Sequence, residues 1–131
     1  MDPQTQYDFT DIIRQATANF SEVEYTIDTT PERSILRLQA NYGQYRIFIT
    51  ELIDSQHRKY RYYVIRGAWI EVGFDNSPDP RALRLKYGRI GTEHAGEYIP
   101  HRHDQNKTRL ELTGEMDVAQ FITWIHTHLP Q

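Results

Sequence analysis

From Val23 onward the chain takes on a two-residue hydrophobic period in short segments separated by turns, the pattern of successive β-strands. Val23, Tyr25 and Ile27 alternate with Glu22, Glu24, Thr26 and Asp28, the pattern of a half-buried strand. After Thr29-Thr30-Pro31-Glu32, a second strand over about 33–40 places Leu36, Leu38 and Ala40 on one face, with Arg33, Ile35, Arg37 and Gln39 on the other. Asn41-Tyr42-Gly43 turns the chain into a third strand, about 44–53, which sets Tyr45, Ile47 and Ile49 against Arg46, Phe48 and Thr50. Asp54-Ser55-Gln56-His57 leads to a fourth strand, about 58–65, and Arg66-Gly67 fits a tight hairpin because glycine accepts a positive φ. The fifth strand, about 68–74, carries Ile70, Val72 and Phe74 on one face. Short turns between successive strands predict an antiparallel meander.

The period is helical at the two ends. Phe9, Ile12, Ile13, Ala16 and Phe20 predict a helix over 8–20, with Asp8 as its N-cap and Asp11 in the first turn. Val118, Phe121, Ile122 and Ile125 predict another over about 115–127, capped by Thr113. Between them, Asp75-Asn76-Ser77-Pro78-Asp79-Pro80 stops the fifth strand, since Asp, Asn and Pro all favour turns. Residues 81–87 read as a helical turn and Gly88–Gly96 as a loop. Tyr98–His103 reads as a short extended segment and Thr108–Leu112 as a last strand. Each terminal helix has one apolar stripe and needs a sheet face to cover. The expected fold class is therefore α+β. It is one domain over 1–131, an antiparallel meander of about five to six strands with the N- and C-terminal helices packed on one face.

Composition narrows the function classes. There is no cysteine, which removes disulfides and thiolate chemistry. No apolar run approaches the roughly 18 residues of a membrane helix, and the first residues lack a signal-peptide pattern, so the expectation is a cytoplasmic protein without a membrane partner. The formal net charge of −3 hides an acidic start and a basic, tyrosine-rich middle. That asymmetry suits an anionic partner, or simply pairs the acids of the first strand with the arginines of the second.

His101 and His103 are the strongest candidates for chemistry. Pro100 disfavours helix before them, and in an extended segment their spacing points both imidazoles to one face and Arg102 to the other. Two imidazoles on one face suit acid–base work near neutral pH, metal binding that needs a third ligand, or an exposed polar rim. His94, Asp104 and Asp75 are the candidates for that third ligand. By contrast, His126 and His128 fall roughly 200° apart on the last helix and fit its C-terminal dipole. His57 lies in a turn and reads as exposed. The fourth strand interleaves Arg58, Lys59, Arg61 and Arg66 with Tyr60, Tyr62 and Tyr63, a composition suited either to RNA or to a tyrosine-filled core.

Phe74-Asp75-Asn76-Ser77-Pro78, Tyr98-Ile99-Pro100-His101-Arg102-His103 and Tyr60-Arg61-Tyr62-Tyr63 together resemble the TumE-type toxin family of prokaryotic toxin–antitoxin modules. The resemblance runs from about residue 33 to 125. The chain departs from the family pattern at Gly73, where relatives carry arginine, at Asp79-Pro80, where histidines follow the proline, and over Arg81–Gly96, which reads as an insertion. The resemblance implies a toxin acting on RNA and neutralised by an antitoxin protein, usually of helix-turn-helix type. The corresponding expectation is a metal-independent endoribonuclease that uses no cofactor. His101 and His103 act as base and acid, Asp75 orients an imidazole, and Arg61 or Arg102 stabilises the phosphorane charge. Arg46, Lys59, Tyr63 and Arg102 are the expected RNA contacts. The alternatives are a non-catalytic RNA- or protein-binding module and a metal-binding histidine cluster.

Overall fold

The structure, a computed structural model, describes residues 1–89, 91 and 93–131. Its core is a seven-stranded antiparallel sheet in which every strand pairs with its neighbours in sequence. The strands are β1 (Ser21–Thr29), β2 (Arg33–Tyr42), β3 (Tyr45–Asp54), β4 (Arg58–Arg66), β5 (Trp69–Asp75), β6 (His101–Asp104) and β7 (Arg109–Leu112). Helices α1 (Pro3–Asn19) and α3 (Val118–His128) flank the meander in sequence, and α2 (Pro80–Tyr87) lies between β5 and β6. The α+β meander with both terminal helices on one face is as the alternation predicts, with β6 and β7 extending it to seven strands.

Two helix caps differ from expectation. The helix α1 begins five residues earlier than predicted, because Asp2 rather than Asp8 accepts the Thr5 N–H at 2.9 Å and Pro3 occupies the first turn, where no N–H is needed. Asp117 rather than Thr113 caps α3. Its carboxylate accepts the Gln120 N–H, and the Gln120 side chain accepts the Asp117 N–H. The first strand also departs from the half-buried pattern: β1 is an edge strand, and Tyr25 and Ile27 are exposed because the helices do not reach that far. Among the described residues no ion pair joins its acids to the arginines of β2; the register sets Arg37 beside Thr26 and Gln39 beside Glu24.

The alternation of each strand defines two faces. Phe9, Ile12 and Ala16 of α1 and Val118, Phe121, Ile122 and Ile125 of α3 pack on the face formed by Leu36, Leu38, Ala40, Ile47, Ile49, Tyr60, Tyr62, Val64, Val72 and Phe74. Phe121 stacks on Tyr62 and meets Phe74 edge-on. Full burial of one such side chain contributes about 1.5–3 kcal/mol. At the other end of the sheet the cover changes sides. Ala82 and Leu83 of α2 pack with Ile99, Tyr87 and Leu110, and Leu110 is the register partner of His103. The α2 helix therefore covers the face opposite α1 and α3, over β6 and β7. Residues 72–75 of β5 are buried against both.

The helical turn expected over 81–87 is thus a capped helix. Asp79 accepts the Arg81 N–H at 2.8 Å, Pro80 opens the helix, and Gly88 closes it in the left-handed region with φ 77°. The loop expected over Gly88–Gly96 includes Ile90 and Thr92, which lie outside the described residues.

Candidate metal centre

The register that carries β4 into β5 and β6 assembles the site. Arg61 pairs with Asp75, and Asp75 with His101; one step along, Tyr63 pairs with Gly73, and Gly73 with His103. All six residues share the face that α2 covers. Asp75, His101 and His103 are 5%, 1% and 3% exposed. Each offers a ligand atom, and those atoms lie within 4.8 Å of one another. The two imidazole rings stand 4.8 Å apart and nearly perpendicular.

Neighbours orient two of the three donors. His101 Nδ1 lies 2.7 Å from the Ile99 carbonyl oxygen, which can only accept; Nδ1 therefore carries a proton, and Nε2 is the nitrogen left to face a metal. This is the arrangement that holds metal-ligating histidines. Asp75 Oδ1 accepts the Ser77 N–H at 2.6 Å, and Oδ2 lies 3.3 Å from Arg61 Nε. His103 Nδ1 is buried and has no hydrogen-bond partner among the described residues. Burial, and then the nearby His101, Lys107 and Arg81, push the His103 pKa down to about 4. At neutral pH its ring is uncharged and its lone pair is free, as metal coordination requires.

The other expected ligands and contacts fall elsewhere. His94 lies 3.2 Å from Glu97 and stacks on Tyr87. Asp104 and Arg102 point to the face opposite the imidazoles, where Arg102 meets Asp104 at 3.2 Å and Glu111 at 2.6 Å. Arg102 therefore has no route to a charge developing between the histidines. Arg46 donates to Gln39 on the open sheet face, and Lys59 shares that face with Leu52. Tyr60 and Tyr62 are core residues beneath α3, so the tyrosine-rich strand is in large part core. His57 stacks on Tyr98 at 4.5 Å.

These positions overturn the endoribonuclease toxin expected from the resemblance. Base and acid must touch a ribose and a phosphate, yet His101 and His103 are almost wholly buried. A catalytic acid must hold a proton at working pH, and burial of His103 disfavours its protonated form. Among the described residues Asp75 makes no hydrogen bond to either ring, and the His101 Nδ1–H goes to Ile99 instead. No family model, curated protein or solved structure matches the chain, so nothing in these comparisons supports a toxin. Among the described residues no helix is long and apolar enough to cross a membrane.

Sequence reasoning missed a second buried polar cluster, on the helix-covered face. Glu51 accepts from Arg58 Nε at 3.0 Å and Nη2 at 2.9 Å, and also from the Tyr62 hydroxyl. Arg58 Nη2 also donates to the Met116 carbonyl at 3.0 Å, and Nη1 to Glu115 at 2.9 Å, which ties the approach to α3 onto the sheet. A signal was present: Glu51 continues the inward series Tyr45, Ile47, Ile49, and Arg58 continues Tyr60, Tyr62.

Proposed function

We propose that this chain is a metal-binding protein whose Asp75, His101 and His103 hold a first-row transition-metal cation. The observation that carries the reading is the convergence of two imidazoles and one carboxylate, all buried, within 4.8 Å. Buried polar groups in native proteins nearly always find partners, so the unpartnered His103 Nδ1 argues for one. The nitrogen and oxygen donor set suits zinc, iron, manganese or nickel better than calcium or magnesium, which prefer all-oxygen sites. Asp75 ends β5, whereas His101 opens β6 beyond α2, so a shared ion closes the stretch of chain that carries α2.

Equilibrium dialysis of the full chain, purified without an affinity tag, tests this against Zn²⁺, Fe²⁺ and Mn²⁺. The expected result is about one tightly held equivalent of at least one ion, with uptake falling at acid pH as protons compete for the imidazoles. His101→Ala and His103→Ala should each abolish tight binding while circular dichroism still reports the sheet. Uptake unchanged in both variants would sink the assignment.

A further inference from the structure

A set of one carboxylate and two imidazoles leaves a first-row ion short of the four ligands it usually takes. With one anionic ligand, a divalent ion also keeps a net positive charge, in surroundings that already hold Arg61 and Lys107. We infer that Tyr63 supplies the missing ligand through its hydroxyl oxygen.

Three tyrosines of β4 make the contrast. The Tyr60 hydroxyl accepts the Met116 N–H at 3.1 Å. The Tyr62 hydroxyl donates to Glu51 and accepts from Arg58. The Tyr63 hydroxyl is buried and has no hydrogen-bond partner among the described residues. It lies beside the Arg61 guanidinium, whose pKa it helps to raise. That guanidinium is the one that meets Asp75.

The backbone makes room for this placement. Tyr63, Gly73 and His103 are successive register partners across β4, β5 and β6. The Tyr63 ring lies over Gly73, where any β-carbon would run into it. Its centroid stands 6.4 Å from that of His103, edge to face. The ring is held from two further sides, with the Arg61 guanidinium carbon 5.2 Å and the Lys107 ammonium 5.0 Å from its centroid. The Lys107 position depends on the β6–β7 turn, in which Gln105, Asn106 and Lys107 all have positive φ (49°, 58° and 67°). Such backbone is costly for residues other than glycine and persists where its surroundings hold it. Here the Asn106 N–H donates to the Ile70 carbonyl at 2.9 Å, and the Asn106 side chain accepts the Ile70 N–H at 3.1 Å. Of the described side-chain atoms that are buried without a partner, two of the three, Tyr63 Oη and His103 Nδ1, belong to one register row. On binding, the Oη–metal bond forms as the phenolic proton passes to solvent.

This inference rests on the metal reading, and ferric iron separates the two. The full chain is loaded with Fe³⁺ from a weak chelate, the bound iron is counted, and the visible spectrum is recorded. A phenolate-to-iron charge-transfer band is expected, with complete loss of that band in Tyr63→Phe while about one equivalent of iron stays bound. Tyr25→Phe, at an exposed position, should leave the band intact. Iron bound without the band, or a band that survives in Tyr63→Phe, overturns the role of Tyr63 and leaves the three-residue site standing. No iron bound, with Zn²⁺ and Mn²⁺ also refused, overturns both.

Discussion

One sheet carries two buried polar clusters, one on each face, and they differ in how completely their hydrogen bonds are made. On the helix-covered face, Glu51 receives Arg58 through two nitrogens and Tyr62 through its hydroxyl, and Arg58 spends its remaining donors on Met116 and Glu115. On the α2-covered face, one histidine nitrogen and one tyrosine hydroxyl find no partner among the described residues. A saturated cluster needs no ligand to explain its burial; an unsaturated one does. Saturation, more than residue type, separates a group that holds the fold from one that waits for a partner.

The largest expected effect breaks the saturated cluster. Arg58→Ala strands the Glu51 carboxylate in the core and should cost about 3–5 kcal/mol in urea unfolding. Replacing both partners at once, Glu51→Leu with Arg58→Met, should recover most of that loss, since the penalty lies in the widowed charge. A cost below about 1 kcal/mol for the single variant would show that Glu51 finds other partners.

Next comes the unsaturated cluster, where added metal should act as no added ligand does on the other face. With free Zn²⁺ at a hundred times Kd, the parent should gain about 2.7 kcal/mol of stability, and His103→Leu should gain nothing. In the absence of metal, His103→Leu should change stability by less than about 1.5 kcal/mol, because the imidazole gives up no hydrogen bond at Nδ1. A large loss in the metal-free variant would place His103 among the residues that hold the fold.

The smallest effect concerns the lid of that cluster. Burial alone would raise the Asp79 pKa, but hydrogen bonds from the Arg81 backbone and guanidinium outweigh it and hold the carboxyl below its ordinary value of 3.8. A carboxylate with a lowered folded-state pKa stabilises the fold above its unfolded value and stops doing so as pH falls through the folded one. Amide protection in Ala82–Leu85, measured against the intrinsic exchange rate, should therefore fall below about pH 4, and Asp79→Asn should flatten that dependence. Exchange in α3 should not follow.

Much of this architecture was legible in the chain. Alternation along β3 and β4 fixes which side chains share a face, and the terminal helical stripes need such a face to cover. The shared face of His101 and His103 was legible for the same reason, and Asp75 stood among the candidate third ligands. What alternation does not contain is which strand lies beside β6. Only the pairing of β5 with β6 puts Asp75 against His101. Burial was also hidden. Tyr63 reads as a stacking surface until Gly73 lets its ring lie flat on the neighbouring strand, and the histidines read as reachable until α2 is a helix lying over them. The cap of α1 was misplaced because Asp2 and Asp8 both precede helical residues, and the choice between them is made by Pro3 in the first turn.

The change of cover at β5 has a consequence for how the molecule opens. Residues Val72–Asp75 form a party wall between two interiors, with Phe74 facing α3 and Asp75 facing the histidines. Neither interior can be emptied without wetting the wall of the other, so the two should open as one cooperative unit. An ion bound behind the wall would then slow amide exchange in front of it, at Tyr62 and Val64, residues that no ligand on that side could touch.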